Sequence, residues 1–243
     1  MVVGGRKMAK TRRNSKRAGI GDEQPALKPL DREQVVSAAL ILLDEVGLDG
    51  LSMRRLAERL SIKASTLYWY VRDKDELLAL LADSISGEVQ MPELDGPWRT
   101  RLESLLREYR RVLLAHRDSG RILAGTIPTG HNRLRLIDMT LGALLDAGLD
   151  GLTASRAGRL LVDYSTAFVL EEINESAIGD KTAHATGHTL MNFSVDVYPN
   201  IAKLTAELVD PDNNERFWFG IKILLDGLER QLDESHGQLK DNP

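Results

Sequence analysis

Between Ser52 and Val71 the chain reads SMRRLAERLSIKASTLYWYV, and its chemically able residues are cations, hydroxyls and aromatic rings, not paired acids or metal ligands. Lys63, Ser65, Thr66, Tyr68, Trp69 and Tyr70 fall within eight positions of one another. A short helix cannot bury that many large polar and aromatic groups, so one face must lie outward. Phenol, indole, hydroxyl and ammonium groups on such a face suit sugar, phosphate and thymine-methyl contacts. Residues 52–74 carry Arg54, Arg55, Arg59, Lys63, Arg72 and Lys74 against Glu58 and Asp73, a local +4 on a chain of net charge −4. An anionic polymer is the partner this patch fits. The plain alternative is a surface helical hairpin with a solvated charged face.

The elements that must hold these residues can be read around them. Asp31 is an N-cap, Gln34 completes a capping box, and Leu30 can staple onto Val35. Val35, Ala39, Leu42, Leu43 and Val46 follow at helical spacing, and Gly47 is placed to stop the helix as a left-handed C-cap. Ser52 caps a second helix with Met53, Leu56, Ala57 and Leu60 inward. After a turn at 61–63, a third helix is expected over 64–71 with Leu67 and Val71 inward. A fourth starts near Lys74 and ends near Met91. Two short helices joined by a tight turn and braced by a longer one describe a helix-turn-helix.

Beyond Trp98 the periodicity predicts helices only, over 98–115, 119–125, 130–147, 153–178, 188–208 and 213–232, with a polar loop at 176–188. No β-branched alternation competes, so the expected class is all-α. VGLDGLS (46–52) and AGLDGLT (147–153) read as one helix-to-helix turn used twice, Gly ending a helix and Ser52 or Thr153 capping the next. The expected organisation is a basic arm (1–27), a DNA-binding unit (28–74), a connecting helix (75–92), a C-terminal helical domain for ligand binding and dimerisation (93–235) and a tail (236–243).

Composition excludes several classes. Cysteine is absent, which removes disulfides, thiol catalysis and Cys-ligated zinc, and fits a reducing cytoplasm. No apolar run approaches the ~20 residues of a membrane span. There is no Gly-rich phosphate loop, zinc motif or nucleophile elbow, so an enzyme is not expected, nor a cofactor. His184 and His188 have a metal-compatible spacing without a third ligand, and no metal site is assigned. His116 reads as a structural residue at a turn. Residues 1–20 hold seven basic residues and no acid, so the arm is either solvated chain or a minor-groove contact.

The run LDREQVVSAALILLDEVGLDGLSMRRLAERLSIKASTLYWYVRDKDELL resembles the tetracycline-repressor (TetR) family. LLAHRD, GTIPT, VLEE and FGIKILLDGLERQL extend the likeness to about residue 232. The resemblance implies a homodimer that reads a palindromic double-stranded operator and answers to a small-molecule effector. It places Arg54 at a guanine-reading position, Thr66, Tyr68 and Tyr70 at DNA contacts, Trp69 beside them, and Lys74 at a phosphate contact. Met53 replaces a DNA-contacting Thr, and Ala64 and Ser65 replace a Gln-Pro pair, so the operator should differ. The helix at 153–178 and the last helix are implied to form a four-helix bundle with their dimer mates.

The resemblance also outlines an effector pocket from Gln90, Leu105, Tyr109, Leu123, Thr126, Ile127, Thr140, Phe168 and Glu171. Leu123 stands where tetracycline repressors carry a metal-ligating His, and Ile127 where they carry an Arg. One carboxylate and a few hydroxyls hold magnesium poorly. The expected effector is therefore bulky and partly hydrophobic, an antibiotic or secondary metabolite and not magnesium-tetracycline. Two alternatives stand beside this reading: a tetracycline-efflux repressor with an altered pocket, and a constitutive DNA-binding protein without an effector cavity.

Overall fold

The structure is a computed structural model that describes residues 1, 30–90, 95–178, 196–208 and 212–240. Among them every regular element is a helix. Contacts divide the chain after Leu30, and among the described residues every helix belongs to the unit that starts at Asp31. The arm, His184 and His188 lie outside the described residues, as does the start of the helix expected at 188–208.

α1 (Arg32–Gly50) begins where the sequence requires. The Asp31 carboxylate accepts the Gln34 amide at 2.8 Å, and the Gln34 side chain accepts the Asp31 amide at 3.0 Å. Gly47 interrupts it at φ 72°, ψ 173°. That is an extended conformation reserved for glycine, not the left-handed helical well expected of a C-cap. A Cβ there would also stand 2.9 Å from Arg117 Nε and 3.0 Å from Asp118 Oδ2. Gly47→Ala is expected to destabilise the protein by about 1–3 kcal/mol. An unchanged denaturation midpoint would count against this.

α2 (Met53–Arg59) starts on Ser52, whose hydroxyl accepts the Arg55 amide. α3 is shorter than expected, Ala64–Leu67. The amides of Trp69 and Tyr70 bond to carbonyls three residues back, so the helix tightens into turns before Val71. α4 (Lys74–Gly87) is capped by Asp73 and ends four residues before Met91.

α5 (Trp98–Ala115), α6 (Ser119–Ala124) and α7 (His131–Asp146) follow closely the predicted spans. α8 (Gly151–Ile178) starts two residues early because Asp150, not Thr153, is its cap: the Asp150 carboxylate accepts the amides of Leu152 and Thr153. The repeated GLDGL string thus makes two different turns. α9 (Pro199–Lys203) and α10 (Thr205–Leu208) stand where the sequence suggests one helix, and α11 (Asn213–Lys240) outruns its predicted end.

The main core joins α5, α7, α8 and α11 through Leu102, Leu106, Leu144, Leu161, Phe217 and Ile221. Phe217 is fully buried amid Tyr164, Phe168 and Trp218, with ring centroids 5.8, 5.4 and 5.2 Å away. Arg99 ties α5 to α11 through Asp226 and Glu229, each at 2.7 Å. α4 links the two ends of the fold. It packs on α1, α6 and α7, and its Asp83 carboxylate accepts the Arg133 amide at 3.0 Å, capping α7. No helix of the described residues is long and apolar enough to cross a membrane.

Candidate nucleic-acid interface and ligand cavity

Leu56 and Ala57 of α2 are buried with Leu67 and Val71, which fixes α3 against the hairpin and leaves its other side outward. Trp69 is 87% exposed and Tyr68 52%. Lys63 and Ser65 are exposed, and Thr66 and Tyr70 are half-buried. Arg54 projects from the first turn of α2 with its Nε 3.6 Å from Glu58. Lys74 is exposed at the first turn of α4, its Nζ donating to the Leu48 carbonyl at 3.4 Å. All eight predicted residues are thus at least partly open to solvent.

The remaining cations of this stretch serve the hairpin. Arg59 forms a two-pronged pair with Glu45, Arg55 donates to the Gly50 carbonyl, and Arg72 pairs with Glu76. The Arg72 backbone N–H, then the Arg72 and Arg32 guanidiniums, hold the Glu76 carboxyl below its ordinary value.

A cavity of about 650 Å³ opens between α4, α5, α6, α7 and α8. Leu105, Tyr109, Leu123, Thr126 and Thr140 line it as the sequence suggests. Four predicted members stand apart from it. Gln90 is exposed beyond the end of α4, because that helix stops at Gly87. Ile127 is 78% exposed, turned outward at the α6–α7 turn. Phe168 and Glu171 lie on the α8 face that meets α11: Phe168 packs on Phe217, and Glu171 approaches Arg216 at 4.0 Å.

The cavity also contains Ser86, Arg133 and Thr166, which the sequence reading missed. The available signal was the α7 stripe Arg133, Leu136, Ile137 and Thr140, at i, i+3, i+4 and i+7. Tyr109 is buried and its hydroxyl meets Thr166 Oγ1 at 2.9 Å; burial pushes its pKa up. Arg133 donates to the Thr126 carbonyl and hydroxyl at 3.0 and 2.8 Å and to the Leu123 carbonyl at 3.1 Å. Burial pulls its guanidinium below the ordinary value.

The cavity wall is fastened to the helix-turn-helix. The Leu48 amide donates to Asp118 Oδ2 at 2.8 Å, the Arg117 amide to Asp44 Oδ1 at 3.1 Å, and Arg121 grips Asp49 with two bonds of 2.9 and 3.2 Å. His116, at the end of α5, lies 3.0 Å from Glu88 and 3.5 Å from Asp44, a bridge between α4 and α1. α6 therefore touches the cavity at one end and α1 at the other.

Residues 35–81 match the family described as bacterial regulatory proteins, tetR family, and residues 91–232 match the tetracyclin repressor-like C-terminal domain. The tetracycline repressor protein class A from transposon 1721 of Escherichia coli is 35% identical over 205 residues, covering 83% of this chain and 92% of that protein. The apo ActR structure from Streptomyces coelicolor superposes with a TM-score of 0.79 at 34% identity, over 86% of this chain and 100% of that one. ActR in complex with actinorhodin gives 0.79 and 34%, over 84% and 99%. An outward helix-turn-helix face and an interhelical cavity on this scaffold, with both family halves matched in sequence, lead to one conclusion: the chain belongs to the TetR family and is a transcriptional regulator, not an enzyme.

Proposed function

We propose that this protein is a ligand-responsive repressor that binds a palindromic operator as a homodimer in the cytoplasm and is released by a small-molecule effector. One observation carries the reading: α6 walls the cavity and is hydrogen-bonded to the end of α1 in the DNA-reading unit. A ligand that favours a different setting of α6 and α4 shifts the spacing of the two reading heads, and operator affinity falls. Residues 28–74 read DNA, α4 connects, and residues 93–235 sense and dimerise. The cavity beside Tyr109 favours sensing over constitutive binding.

The dimer reading rests on apolar residues that α8 and α11 leave outward. Leu152 and Leu160 are 60% and 53% exposed, Phe219 and Ile223 68% and 54%. A second copy of the same two helices would cover them as a four-helix bundle. The effector is bulky and partly hydrophobic and is not magnesium-tetracycline, because buried Leu123 offers no metal-ligating nitrogen and Glu171 points to Arg216.

The test is a mobility-shift assay with the DNA upstream of the gene, beside sedimentation of the protein. A two-to-one complex is expected, insensitive to added magnesium and tetracycline. Leu160→Glu with Ile223→Glu should sediment as a monomer and lose the complex. A dimer that survives both substitutions would refute the bundle, and no shift with any palindrome would refute the repressor.

A further inference from the structure

Most hydroxyl donors of the cavity wall are spent. Ser86, Thr126, Thr140 and Thr166 each give their hydroxyl hydrogen to the carbonyl four residues back, at 2.7–2.9 Å. Tyr109 must then donate to Thr166 Oγ1, so these hydroxyls offer an incoming ligand lone pairs only. At the exposed edge, where Ser155 also lies, the Arg159 Nε donates to Asp163 at 2.6 Å, so that guanidinium carries its own counter-charge. Arg133 differs: it is half-buried and has no ion pair among the described residues. Of its five N–H groups, three bond to Thr126 and Leu123; Nε–H and one Nη2–H have no partner among the described residues. No described carboxylate lies within ion-pair distance of it. Asp83 on α4, the acid nearest in effect, is engaged by the Arg133 amide and the Asn132 side chain.

We infer that the effector is an amphipathic acid: an apolar ring system that lies against Leu105, Leu123, Leu136 and Ile137 and sets an anionic group on the Arg133 guanidinium. The inference rests on the sensing function proposed above and specifies its ligand. A half-buried cation without a direct ion-pair partner is where a carboxylate, sulfonate or phenolate gains most, since such bonds are charge-assisted. The same guanidinium holds the Leu123 and Thr126 carbonyls at the end of α6. An anion that draws it therefore acts directly on the helix fastened to α1.

Two fluorescent probes with the same rings separate charge from hydrophobicity: 8-anilinonaphthalene-1-sulfonate and neutral N-phenyl-1-naphthylamine. Titrations use the full chain and its Arg133→Met, Arg133→Lys and Arg135→Met variants. Arg133→Met is expected to weaken the sulfonate by about tenfold or more, the range of a charged hydrogen bond, and to leave the neutral probe unchanged. Arg133→Lys should keep most of the sulfonate affinity, and exposed Arg135→Met all of it. Unchanged sulfonate binding in Arg133→Met overturns the inference and leaves sensing standing. Equal loss of both probes overturns it too, because Arg133 then only props the wall. If neither probe binds the parent protein, the sensing function itself falls.

Discussion

Phe217→Ala destabilises the protein by about 3–5 kcal/mol, the range for removing a fully buried aromatic ring. The side chain has no exposed surface, and three aromatic rings stand around it with the Arg110 guanidinium 4.9 Å from its centroid. These neighbours cannot close the void cheaply. Arg110 is fixed by bidentate bonds to Glu172 at 2.9–3.2 Å, and the Tyr164 hydroxyl donates to the Phe217 carbonyl at 3.1 Å. The site should therefore lie at the costly end of its class. Exposed Lys222→Ala on the same helix is the control and should change stability by no more than about 0.5 kcal/mol. Denaturant unfolding at fixed protein concentration measures both. A loss below about 1 kcal/mol for Phe217→Ala would show that α8 and α11 repack freely.

Arg54→Ala should lower operator affinity by about 1–3 kcal/mol per half-site, the worth of a bidentate guanine contact. In the free protein Arg54 is held only by Glu58, an exposed i, i+4 pair at 3.6 Å. Such pairs contribute about 0.2–0.5 kcal/mol, so freeing the guanidinium costs far less than a base contact returns. The loss should be confined to specific sites, and binding to random duplex should change little. Lys74→Ala provides the contrast: a phosphate contact weakens all sequences alike and lowers the salt slope by about one. Binding isotherms on operator and random duplex at several salt concentrations decide the matter. Equal loss on both DNAs for Arg54→Ala would reassign it to the backbone.

The parts of the fold legible in the sequence are those set by local chemistry. Asp31 and Gln34 specify a start within one turn, and the Leu–Leu spacing of α1 specifies its buried side. Endings were harder to read. α3 closes at Leu67 because its amides switch to nearer carbonyls, a choice that the residue types of Tyr68–Tyr70 do not announce. Thr153 looked like a cap, but Asp150 three residues earlier took the amides. The cavity was half legible for a related reason. Leu105, Tyr109, Leu123, Thr126 and Thr140, expected there from the family resemblance, do line it: four sit on the inward faces of α5, α6 and α7, and Thr126 in the turn between α6 and α7. Phe168 and Glu171 share α8 with true lining residues, and only the position of α11 decides which side of α8 each belongs to. Arg133 was overlooked because a cation on an amphipathic helix is ordinarily on the wet side. Here the carbonyls at the end of α6 give it a reason to turn in.

Trp69, Tyr68, Arg54, Lys63 and Ser65 all stand clear of the interior, while Leu56, Ala57, Leu67 and Val71 hold the hairpin together without reaching its outer side. On the proposed function, target preference and folding are thus written in separate sets of residues. Substitutions among the outward side chains should cost the fold almost nothing, whereas any drift in the four buried anchors should loosen the hairpin whatever sequence it meets.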